Sequence, residues 1–108
     1  MTARFNEIKN SEELENLFQK SFDAPVIFFK HSITCPISIG VYSEVSRADA
    51  EINLVIVQKA RNLSNAIAEL TKVRHESPQA IVVKQGNVIY HASHYDITAA
   101  DLEKNIDS

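Results

Sequence analysis

Two apolar runs narrow the fold more than any other feature of this chain: APVIFFKHS at 24–32 and INLVIVQKA at 52–60. In neither does polarity alternate. A strand can be apolar at successive positions only when both of its faces are covered, as happens inside a sheet with helices on each side. The interval between the runs is long enough for a crossover helix. A β-α-β unit with the usual right-handed crossover makes its two strands parallel.

The remaining segments fit around that unit. In NSEELENLFQKSF, Leu14, Leu17, Phe18 and Phe22 fall on one helical face, and Asn10 with Glu13 forms a capping box, predicting a helix over Ser11–Ser21. PISIGVYSEVSRADAE allows a helix over Pro36–Arg47, with proline where its missing N–H costs nothing, although Gly40 and the β-branched residues weaken it. The second strand is expected over Ile52–Gln58. NLSNAIAELTKV predicts a helix over Ser64–Val73, with Ile67, Leu70 and Val73 inward and Leu63 as a further candidate. SPQAIVVKQGNVIYHAS reads as a hairpin: strand Ala80–Lys84, turn Gln85-Gly86-Asn87, strand Val88–Ala92. ITAADLEKNI closes the chain as a helix with Thr98 as N-cap and Asp101 at the capping-box position. The expected order is α-β-α-β-α-β-β-α, an α/β domain over 1–108 with a four-stranded mixed sheet flanked by helices. That order resembles the thioredoxin fold.

Composition restricts the partners. Across 108 residues, 44% are apolar and 23% charged, with a net charge of −3 and no basic stripe, so neither nucleic acid nor an anionic membrane surface is an expected partner. The opening MTARFNEIKNSEELENL has no apolar leader, and no run reaches the roughly 18 apolar residues of a membrane span, so the cytoplasm is the expected compartment. The chain has 1 cysteine, which fits a reducing compartment. Any disulfide it makes must be to another molecule.

That residue, Cys35, lies where the first apolar run gives way to a helix, in HSITCPIS. A dithiol redox site would read Cys-x-x-Cys; here Ser38 holds the second position. The carboxyl end of a strand in an open α/β sheet is a common place for a site, and a helix N-terminus favours a thiolate, the nucleophilic form of cysteine. The hydroxyls of Thr34 and Ser38 could also donate to the sulfur. Isolated free cysteines are usually inert core residues, but the strand–Cys–Pro–helix context favours a reactive one. A second feature is Pro78, just before the third strand, where proline's missing N–H suits a strand start. In a thioredoxin fold this position holds a cis proline facing the cysteine, leaving the backbone of the preceding residue, Ser77, to pair with an incoming chain.

The four histidines, His31, His75, His91 and His94, form no recognised ligand pattern, so no metal is expected, and His91 and His94 read as solvated loop residues. His31 could support the thiolate if it faces the site, and His75 precedes Pro78 by three residues. No Cys-x5-Arg phosphate loop is present, and Arg47 is too distant to complete one, which disfavours tyrosine-phosphatase-like chemistry.

HSITCPIS, SNAIAE and HESPQAIVVKQGNVIYHASH together resemble the bacilliredoxin family of thioredoxin-like proteins, in its monothiol Thr-Cys-Pro-Ile-Ser branch. The resemblance spans nearly the whole chain. It implies a cytosolic thiol–disulfide oxidoreductase acting on proteins S-thiolated by bacillithiol, a low-molecular-weight thiol that serves as co-substrate, with no tightly bound cofactor. Cys35 then matches the attacking thiol, Pro36 and Ile37 the intervening pair, and Ser38 the place of a resolving cysteine. Ser77 and Pro78 match the backbone-pairing and cis-proline positions. With one cysteine, a separate reductase or a second small thiol must reset the site. Two other readings remain open from the residues: an iron–sulfur carrier of the monothiol glutaredoxin kind, and a redox-inactive interaction domain.

Overall fold

The computed structural model describes residues 3–107. Its elements in chain order are β1 (Arg4–Glu7), α1 (Ser11–Lys20), β2 (Val26–His31), α2 (Pro36–Val45), β3 (Glu51–Ile56), α3 (Arg61–Thr71), β4 (Gln79–Lys84), β5 (Asn87–Ser93), a short 3-10 turn (His94–Asp96) and α4 (Ala99–Ile106). The sheet runs β1-β3-β2-β4-β5. Strands β1, β3 and β2 are parallel, with Ile27 opposite Ile52; β4 is antiparallel to β2 and β5 to β4. This is the thioredoxin-like α/β fold.

The two apolar runs are the two central strands, and every residue of β2 is buried. Alternation along them separates two cores. Ile27, Phe29, Ile52 and Leu54 face Val41 and Val45 of α2 and Leu102 of α4. Val26, Phe28 and Val55 face Leu14 and Leu17 of α1 and Leu63 and Ile67 of α3. Phe28 stacks on Phe18 with centroids 5.3 Å apart.

The sheet has five strands, correcting the expected four. Arg4–Glu7 carries one apolar residue and is half exposed, so it has no run to betray it. Its register against β3 and the stacking of Phe5 on Tyr42, centroids 4.7 Å apart, hold it. The third helix begins a turn earlier than Ser64, behind Ala60, which supplies no capping side chain. Its buried face is Leu63, Ser64, Ile67 and Thr71, leaving Leu70 55% exposed rather than inward. Phe22 lies beyond α1 and is 58% exposed. Its ring rests on Gly86, where a Cβ would come within 3.1 Å of it.

The caps read from sequence are present: Asn10 accepts from Glu13 N at 2.9 Å and Thr98 from Asp101 N at 3.1 Å. The hairpin turn is two residues, Gln85 and Gly86, both at positive φ (53° and 76°), the backbone whose twist matches that of the flanking strands. Ser21 pins this turn to the end of α1 by accepting from Gln85 N at 2.7 Å and, through its hydroxyl, from Gly86 N at 3.1 Å.

Candidate active site

β2 ends at His31, four residues before Cys35, which is the N-cap of α2 with extended backbone (φ −96°, ψ 120°); Pro36 takes the first helical position. The Cys35 side chain is partly exposed, while Thr34 and Pro36 are exposed, Ile37 half-buried and Ser38 fully buried. Cys35 makes no capping side-chain bond to its own helix, but its place at the N-cap sets the thiol at the end of α2 where the unpaired N–H groups of the first turn lie. Its pKa is lowered, chiefly by the Ser38 backbone N–H. Partial desolvation opposes this, and the Ile37 N–H and the Ser38 hydroxyl add to the lowering. Ser32 N donates to Ser38 Oγ at 3.4 Å, which leaves the Ser38 hydroxyl proton for the sulfur.

Thr34 does not join this set. Its hydroxyl turns to Gln58, whose Nε2 donates to Thr34 Oγ1 at 3.1 Å and to Ser32 Oγ at 2.6 Å, while Gln58 Oε1 accepts from Ile33 N at 3.2 Å. One amide beyond the end of β3 thus braces three successive residues of the cysteine loop. Sequence reasoning missed Gln58, because its partners lie 24 to 26 positions away.

The Ser77–Pro78 peptide is cis. The last pair of the β2–β4 ladder is Lys30 with Gln79, so the register carries Pro78 and Ser77 to the end of β2, where the cysteine loop begins. Pro78 O accepts from His94 N at 3.0 Å, and Ser77 Oγ is buried without a hydrogen-bond partner. The thiol loop and the proline segment therefore leave the same end of adjacent strands.

The histidines separate. His31 is buried against Tyr42, centroids 4.9 Å apart, on the α2 side of the sheet, and burial lowers its pKa. His75 meets Lys30 and Ser64 on the opposite side. His91 and His94 are exposed on β5 and the 3-10 turn. Among the described residues no group of three His, Cys, Asp or Glu side chains converges. Arg47 pairs with Glu44 at 3.3 Å, away from the thiol loop.

A partly exposed cysteine at a helix N-cap, at the same end of the sheet as a cis proline at a strand start, is the arrangement of a thiol–disulfide oxidoreductase of the thioredoxin fold. Residues 6–102 match the family model described as monothiol bacilliredoxin BrxC, and the chain belongs to that family. It is also similar to a solved structure described as a proposed oxidoreductase with a thioredoxin fold: 31% identity, TM-score 0.84, covering 99% of this chain and 95% of the other. The thioredoxin of Malassezia sympodialis superposes with TM-score 0.73 at 11% identity over 99% of this chain and 90% of its own. A mutant thioredoxin from Halobacterium salinarum does so with TM-score 0.70 at 14% identity over 96% and 88%. Identities this low bear on the fold alone. No helix among the described residues is long and apolar enough to cross a membrane.

Proposed function

We propose that this protein removes a low-molecular-weight thiol, bacillithiol by family membership, from S-thiolated cytoplasmic proteins by way of a mixed disulfide on Cys35. The observation that carries the reading is the sulfur itself. It is the chain's only cysteine, it stands at the N-cap of α2 with its pKa lowered chiefly by the Ser38 backbone N–H, and a buried serine occupies the resolving position.

The lowered pKa raises the thiolate fraction near neutrality. The Cys35 thiolate attacks the small-thiol sulfur of the client's mixed disulfide. A bond forms between Cys35 Sγ and that sulfur, the bond to the client's sulfur breaks, and the client thiolate departs and takes a proton from solvent. The client is reduced and Cys35 now carries the small thiol. A second small-thiol molecule, or a separate reductase, attacks the adduct, releases Cys35 as thiolate and leaves with the oxidised product. The Ser77 backbone beside the cis Pro78 is the edge on which the client chain would lie. The scheme needs no metal and no resident cofactor.

The test is transfer followed by intact mass. A client S-thiolated with bacillithiol is mixed with the protein; the adduct mass should move to Cys35, and Cys35→Ser should abolish the transfer. An unmodified Cys35 after prolonged incubation, with the client still thiolated, would refute the proposal. The same measurement with a glutathione-thiolated client reads out which small thiol is preferred.

A further inference from the structure

Lys30 sits in the middle of the apolar run, fully buried. By alternation it shares a face with Val26 and Phe28, the side covered by α1 and α3. Its Nζ lies 3.1 Å from His75 Nδ1, and Ser64 Oγ of α3 lies 3.0 Å from the same nitrogen. His75 belongs to the segment between α3 and β4 that runs into Ser77–Pro78. The residue paired with Lys30 across the ladder, Gln79, reaches the same segment: its Nε2 donates to Arg74 O at 2.8 Å. One cross-strand pair therefore holds two successive residues, Arg74 and His75, just ahead of the cis peptide.

An ammonium has donors only, so Nδ1 must be the bare nitrogen of a neutral imidazole. The charged groups facing His75 are Lys30 from β2, Arg61 from α3 and Glu76 of its own segment; burial, Lys30 and Arg61 keep it neutral against the weaker pull of Glu76. A methionine would fill the Lys30 site without burying a charge, and such replacements are often stabilising. What the lysine supplies in exchange is a fixed place for His75.

We propose that Lys30 and His75 are positioning residues for exchange at Cys35: their hydrogen bond sets the 74–77 segment and so the Ser77–Pro78 edge on which the client lies. This rests on the thiol-transfer reading above. The bond is lost when His75 takes a proton, because Nδ1 can then no longer accept and two cations face each other.

Three variants test it: Lys30→Met, His75→Leu, and His75→Asn, whose amide oxygen can replace Nδ1 as acceptor. In Lys30→Met and His75→Leu, trypsin cleavage at the exposed Arg74–His75 bond, identified by mass, should quicken by about tenfold. KM for an S-thiolated client should rise by about fivefold to tenfold, the loss of one hydrogen bond, with kcat unchanged. Alkylation of Cys35 by iodoacetamide, which needs no client edge, should not change, and His75→Asn should resemble the parent in all three. The parent's KM should also rise on acidification, and that rise should be absent in His75→Asn. Unchanged cleavage after Arg74 in both disrupting variants would overturn the proposal, as would a fall in kcat and alkylation rate with KM untouched. If the parent transfers no thiol at all, the thiol-transfer reading fails, and the cleavage measurement still decides whether Lys30 positions the segment.

Discussion

Lys30→Met should make the protein more stable at neutral pH and less stable at high pH. Burial brings the Lys30 pKa down from 10.5 to about 8. At about 1.4 kcal/mol per pH unit, that difference means the folded state bears a cost of about 3 kcal/mol wherever the lysine is charged in both states, below about pH 8. Between about pH 8 and 10.5 the folded chain has given up the proton and the unfolded chain has not, so stability rises with pH and the cost is gone above 10.5. The bond to His75 works the other way, and losing it costs about 1 kcal/mol. The variant should therefore gain about 2 kcal/mol at pH 7 and lose about 1 kcal/mol above pH 10.5. Urea unfolding of both proteins, followed by circular dichroism across that range with thiols kept reduced, measures the difference directly. A variant less stable than the parent at pH 7, or a difference that stays constant with pH, would refute the reasoning, because it would mean the ammonium is not desolvated.

Ser38→Ala should raise the Cys35 pKa, read from thiolate absorbance against pH, yet leave it below that of a free cysteine because the Ser38 backbone N–H remains. Ser38→Cys should shorten the life of the Cys35 mixed disulfide, with intact mass showing loss of the adduct and an internal disulfide in its place. Gln58→Ala removes three hydrogen bonds from the thiol loop and should lower stability by about 1–2 kcal/mol, with faster amide exchange at Ile33 than at any residue of β2. Gly86→Ala meets both a φ of +76° and the Phe22 ring, and should cost about 1–2 kcal/mol in thermal or urea unfolding.

What could be read from the sequence was what local pattern encodes. The central strands announced themselves because both faces of each are buried, and Cys35 because a strand, a proline and a helix start meet there. β1 could not be read, since Arg-Phe-Asn-Glu becomes a strand only through its ladder to β3 and the ring of Tyr42. The start of α3 at Arg61 has no local mark, because Ala60 offers no capping side chain. Gln58 and the Lys30–His75 bond join residues 24 to 45 positions apart, beyond any local pattern. Lys30 does carry a signal, since a lone charge within a run of buried positions has to find a partner, but the sequence does not say which residue that is.

Ser38 links two properties of the site that would otherwise be separate. A hydroxyl is a far better donor than a thiol, so serine at this position supports the Cys35 thiolate where a cysteine would support it less. The same substitution removes the internal nucleophile, so an adduct on Cys35 waits for an outside thiol. Once Cys35 is in a disulfide its negative charge is gone, and the donors from Ser38 and Ile37 that lower its pKa lose the charge they stabilise. Those donors therefore favour the thiolate as leaving group in the second exchange as much as they favour it as nucleophile in the first. Resetting by a small thiol should accordingly slow in Ser38→Ala along with the forward transfer, since one hydroxyl serves both steps.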